Sequence, residues 1–180
     1  MHRNFLLQLL EKYRPTTEQE IYAKLNMQDF VNEHTDCFER SLLKGHITGS
    51  AVLLNRDLTE VLLMHHAKLD VWCQLGGHCD GEANVLEVAL KEAQEESGIN
   101  AITPISAEIF DLDVHHIPAM HGVPSHYHYD VRFLFKVDSN EQVLRNNESK
   151  DMRWFGLRDQ LPTNAESILR MFRKLIDLKL

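Results

Sequence analysis

A chain of 180 residues, 43% hydrophobic and 26% charged, is long enough for one domain with a real core and short for two. Its formal net charge of −8 argues against tight binding to long nucleic acids, which requires a basic face, but leaves room for small phosphorylated substrates, because a divalent metal can reverse the local sign. No stretch approaches the length of a membrane span and no cleavage-site pattern follows the apolar run at the N-terminus, so the expectation is a cytoplasmic protein with no membrane partner.

Residues 3–13 read as a helix with Phe5, Leu6, Leu9 and Leu10 on one side and Pro15 as a stop. Thr17 and Glu20 have the spacing of a capping box for a second helix carrying Ile21, Tyr22, Leu25, Phe30 and Val31. Neither helix buries its apolar stripe alone, so residues 1–44 read as a helical extension packed on a domain at 45–180, with a homodimer contact as the competing use. The pattern changes near Gly45. Residues 47–54 and 60–66 are β-like runs, with a hairpin turn at Asn55, Arg56 and Asp57. A short strand at 71–75 leads into Gly76 and Gly77. A helix at 85–97 stops at Gly98. Longer strands are expected at 105–114 and 127–137, a short one at 152–155, and a final helix after Thr163 or Asn164. The order is mixed α and β, a sheet sandwiched by helices. Cys37, Cys73 and Cys79 lack a framework spacing and read as free thiols in a reducing compartment, with zinc binding by Cys73, Cys79 and His78 a minor reading.

The chemistry concentrates on the helix at 85–97. Glu92, Glu95 and Glu96 lie within one turn and largely on one side. Like charges at that spacing destabilise an isolated helix, and Lys91 alone does not offset three anions. Mg²⁺ or Mn²⁺ would do so through oxygen ligands, keeping positions open for water and phosphate oxygens. A glutamate triplet by itself is more often a solvated face. The adjoining glycines shift that balance, because Gly76 and Gly77 let backbone approach a ligand and Gly81 suits a positive φ.

The run Gly77 to Ile99, ending Lys91–Glu92–Ala93–Gln94–Glu95–Glu96–Ser97–Gly98–Ile99, resembles the signature of the Nudix hydrolases. The resemblance implies an α/β/α sandwich with a mixed sheet, a divalent metal, and hydrolysis of a diphosphate linked to another moiety. It implies a metal set of Glu92, Glu96 and Glu95, which are also the catalytic carboxylates, and ligand contacts from Gly76, Gly77 and His78. Three positions depart from the pattern, one of them Leu75, where a proline is common just before the two glycines. The first motif glutamate aligns with Ala83, with Glu82 one place early, and the motif arginine is Lys91, which keeps the charge and loses the bidentate fork.

A histidine-rich segment follows. Asp111, Asp113, His115 and His116 precede a loop; His121, His126 and His128 come after. Strand alternation puts His126, His128, Asp130 and Arg132 on one face and Tyr127, Tyr129, Val131, Phe133 and Phe135 on the other. A second metal site, a phosphate patch and a substrate contact are all open for this face. Because no compact zinc spacing is present, the reading favours a cleft lining, with His126 and His128 as substrate contacts and Arg132 as the phosphate contact. The functional expectation is a Mg²⁺- or Mn²⁺-dependent hydrolase of a small-molecule diphosphate. The alternatives are a non-catalytic nucleotide-sensing domain, suggested by Ala83 and Lys91, and an isomerase of an isoprenoid diphosphate.

Overall fold

The computed structural model describes residues 2–120, 122–139, 141–144 and 146–178; His121 falls outside them. Among the described residues there are four helices, α1 (Asn4–Lys12), α2 (Glu18–Glu33), α3 (Val85–Ser97) and α4 (Glu166–Leu178). The strands are β1 (Gly45–Leu54), β2 (Glu60–His66), β3 (Trp72–Cys73), β4 (Leu75–His78), β5 (Ile102–Pro104), β6 (Asp111–Ile117), β7 (His126–Val137) and β8 (Ser149–Gly156). They form one sheet with the path β3-β2-β1-β7-β5, from which β4 pairs β1, β6 pairs β7 and β8 pairs β2. The chain divides into two compact units, and β1, β4, α3 and β7 each contribute residues to both.

The first unit comprises Met1–Ser50, Gly76–Ala89 and Ala107–Phe133. Its helix α2 starts where the side chains dictate. Thr17 caps α2 by accepting from the Glu20 amide, and the Glu20 carboxylate reaches back to the Thr17 amide at 3.0 Å. The same carboxylate accepts from the Tyr13 hydroxyl at 2.5 Å and the Thr16 amide at 2.7 Å, so a charged group is buried with its lone pairs occupied. That fixes the rotation of α2. Glu20, Ala23, Met27, Phe30 and Val31 turn inward, and Phe30 stacks on Tyr129 with ring centroids 3.9 Å apart. Ile21, Tyr22 and Leu25, expected in the stripe, stay exposed, as does Phe5 on α1. The correction has a local cause: the capping carboxylate, not the bulkiest apolar residues, sets the buried side.

The second unit comprises Ala51–Leu75, Leu90–Ser106 and Leu134–Leu180. The β1–β2 hairpin turns at Asn55, whose side-chain oxygen accepts from the amides of Thr59 at 2.8 Å and Glu60 at 3.2 Å. β8 pairs antiparallel with all of β2, longer than the short strand expected there. Gly98 ends α3 at φ +71°, and its amide reaches the Gln94 carbonyl at 2.9 Å. Of the strand expected at 105–114 only the end is found, in β6 from Asp111; β5 lies ahead of it at Ile102–Pro104, and both are antiparallel to β7. Pro104 faces Phe135 and Asp111 faces Arg132, so the stretch between them is longer than the stretch of β7 it passes and bulges out of the ladder. α4 buries Ile168, Met171, Phe172 and Leu175. No described helix is long and apolar enough to cross a membrane.

Candidate functional site

α3 carries the carboxylates. Val85, Val88, Ala89 and Ala93 are its buried apolar residues, and Glu92 and Glu96 fall on the same side at helical spacing. Glu96 is only 3% exposed and Glu92 is half-buried. Glu95 is exposed and pairs with Lys91 at 3.5 Å, one turn away. A lysine in place of the motif arginine thus takes the outermost of the three glutamates. Ala83 is half-buried; its neighbour Glu82 is exposed and accepts from the Asn84 amide at 2.8 Å.

The glycine segment lies in the first unit. Gly76 has a structural reason to be glycine: a Cβ there would overlap the Ser50 hydroxyl and come within 2.7 Å of the Gly49 carbonyl. Its backbone closeness is therefore to β1, where the sequence pointed to a ligand. Asp80 and Gly81 turn the chain after β4 with φ of 48° and 89°. Asp80 is clamped by the guanidinium of Arg40, which holds its carboxyl below the usual range.

The polar face of β7 is organised in two parts. At its inner end Arg132 is 2% exposed and donates to Asp130 at 2.8 Å, Asp111 at 3.0 Å and Asp113 at 3.4 Å. Burial by itself would depress the guanidinium pKa; the three carboxylates more than reverse that and raise it. Asp130 also accepts from Thr48 at 2.9 Å and Ser50 at 2.7 Å. Arg132 was expected to contact phosphate. It is instead the buried counter-ion of an aspartate cluster, with its fork committed to protein carboxylates.

At the outer end the histidines meet. His78 from β4 and His126 from β7 each place Nε2 3.3 Å from Nε2 of His128. His46 from β1 joins them, with ring centroids 4.9 Å from both His78 and His128 and 5.0 Å from His126. Burial, and then the neighbouring imidazoles, lower His46 to about 4 and His128 to about 2, so both rings are neutral near pH 7. His115, 3.1 Å from Asp113, stands at the margin with its ring 5.5 Å from His128. His46, Thr48 and Ser50 are the residues sequence reading missed. Their alternation along β1 is the signal that could have found them.

Residues 45–175 match the NUDIX domain family model. The chain belongs to the Nudix family. Residues of this Nudix chain align at 28% identity over 117 positions with the m7GpppN-mRNA hydrolase NUDT17 of Xenopus laevis, covering 61% of the chain and 39% of that relative. The chain therefore spans about two fifths of the length of the curated protein it matches. Among solved structures, a C. elegans Ap4A hydrolase complex superposes with a TM-score of 0.59 at 19% identity, covering 74% of this chain and 96% of the other. A NUDIX-family hydrolase from Clostridium perfringens does so with a TM-score of 0.54 at 24% identity, covering 74% and 97%. At these identities the likeness establishes the α/β Nudix fold.

Proposed function

We propose that this Nudix chain is a pyrophosphohydrolase that cleaves a diphosphate linkage in a small molecule, with Mg²⁺ or Mn²⁺ as cofactor. The observation that carries the reading is Glu96, a carboxylate 3% exposed on α3, with Glu92 one turn earlier and in the family's motif register. Two carboxylates one turn apart on one side of a helix present hard oxygen donors together, and such donors suit a small dication. A bound ion would supply Lewis-acid neutralisation of the phosphate oxygens. Glu92 and Glu96 are the residues that would hold it. Glu95, being exposed and paired with Lys91, is the carboxylate best left to orient water or take its proton.

The curated relative's printed activity is on a capped mRNA end and the structural neighbour's on a dinucleoside polyphosphate; both contain a polyphosphate bridge, which supports that substrate class here. The test is a panel of dinucleoside polyphosphates, cap analogues, nucleoside diphosphate sugars and nucleoside triphosphates with Mg²⁺ or Mn²⁺, followed by product identification. Hydrolysis should fall by roughly 100-fold or more in Glu96→Gln and Glu92→Gln. Ligand binding with no product over long incubation would instead make the chain a sensing domain, the reading favoured by Ala83 and by the Lys91–Glu95 pair. The apolar side chains left in solvent on α1 and α2 make a homodimer worth testing by light scattering, and two buried free thiols fit a reducing, cytoplasmic compartment.

A further inference from the structure

We propose that His46, His78 and His128 form a binding site for a zinc-class transition-metal ion, made from other residues than the carboxylates of α3 and unlike them in ligand chemistry. Each of these histidines offers a ring nitrogen, and the three nitrogens lie within 4.8 Å of one another. They come from β1, β4 and β7, of which β1 pairs with each of the other two. Zinc–imidazole bonds of 2.0–2.1 Å in a tetrahedral arrangement separate ligand nitrogens by about 3.3–3.4 Å. The Nε2–Nε2 distance between His78 and His128 is 3.3 Å, and so is that between His126 and His128.

A cluster of hydrogen-bonded imidazoles is the competing account, and it fails in two places. First, His46 is 3% exposed, and neither of its ring nitrogens makes a hydrogen bond. The Leu42 carbonyl pulls weakly on the ring without reaching hydrogen-bond geometry. Buried polar atoms without partners are rare enough to need an explanation, and a cation supplies one. Second, the protons do not suffice. Nδ1 of His126 lies 2.8 Å from the Pro124 carbonyl, so it carries the proton of the neutral ring and leaves Nε2 a bare lone pair. That lone pair faces Nε2 of His128, which in turn faces Nε2 of His78. An N–H at this junction, whether on His128 or on His78, serves one of the two contacts well and leaves the other short of a proton, and His46 still goes without. Lone pairs converging on one point are what a soft-to-borderline dication binds, and imidazole is its preferred ligand.

The surroundings have the right sign. Asp111 and Asp113 on β6 and Asp130 on β7 surround one arginine, a formal surplus of two negative charges on β7 and its neighbour. Three imidazoles leave a tetrahedral ion one further position, open to His126, to water, or to an anionic oxygen.

The experiment uses untagged, full-length protein stripped with a chelator and then titrated with Co²⁺. The expected result is visible d–d absorption of tetrahedral cobalt that saturates at about one ion per chain. Zn²⁺ should abolish it stoichiometrically and Mg²⁺ in excess should leave it intact. Glu92→Gln/Glu96→Gln should keep the band. His46→Ala and His128→Ala should weaken Co²⁺ binding by more than the roughly 10–100-fold that loss of an outer-shell partner costs. Should either variant fail to fold by circular dichroism, His78→Asn at the partly exposed ligand replaces it, with the same expectation. Absence of a tetrahedral band in the wild type, or a band of equal intensity and affinity in the folded histidine variants, overturns the proposal.

Discussion

Arg132 illustrates how much a single buried charge constrains its neighbours. Its three carboxylate partners come from β6 and β7, and Asp130 is held by two hydroxyls of β1. Removing the guanidinium leaves carboxylates uncompensated in a low-dielectric setting. Arg132→Met should therefore lose about 3–5 kcal/mol of stability, read as a drop in the urea midpoint. A phosphate-binding arginine would give the opposite pattern, a raised KM in a protein of unchanged stability. His66 supplies a second prediction. Its Nδ1 accepts from the Lys68 amide at 3.2 Å and the Leu69 amide at 3.4 Å, and burial lowers its pKa, outweighing the opposing charge of Glu148, with a smaller push from Lys68. The unfolded chain, with a histidine pKa near 6.5, then binds the proton more readily than the native state. Stability contributed by His66 is complete above that value and declines as pH falls below it. His66→Asn, which keeps an acceptor but does not titrate, should show a shallower fall in the urea midpoint between neutral and acid pH than the wild type.

At the scale of elements, two helix ends depend on individual residues. Thr17→Ala removes half of the capping box on α2 and should cost about 1 kcal/mol, measured by thermal or urea unfolding. Gly98→Ala has to hold a φ of +71° with its new Cβ 2.7 Å from that of Leu144, so its loss should exceed about 1 kcal/mol. The elements themselves were largely readable. α3 was legible to the residue because apolar periodicity, a first-turn acid and a terminal glycine agree over Val85–Ser97. The break between β5 and β6 was not, because residues 105–110 are as apolar as a strand and only the register against β7 reveals the bulge. The facing of α2 was misread for a related reason. Its orientation is decided by one glutamate with several donors, which a hydrophobicity pattern does not weigh.

For the molecule as a whole, the Nudix motif could be read because its glutamates sit close together in sequence. The histidine cluster could not, because its members are dispersed over residues 46, 78 and 128 and meet only through strand pairing. Their spacing resembles no local zinc motif, so His128 reads as part of a cleft lining, His78 as a ligand contact of the glycine turn, and His46 goes unmarked. An ion bound by the native state alone stabilises it by mass action. Zn²⁺ at 100 times its Kd should raise the unfolding free energy of stripped protein by about 2.7 kcal/mol, and His46→Ala should abolish that gain.

The cysteines have a practical corollary. Burial pushes the Cys37 thiol up to about 11 and raises that of Cys79 further, so neither offers appreciable thiolate at neutral pH, while Cys73 on β3 is half-buried. A maleimide fluorophore should therefore attach at one position in the folded protein and at all three after denaturation, giving a native single-site label on a wild-type background.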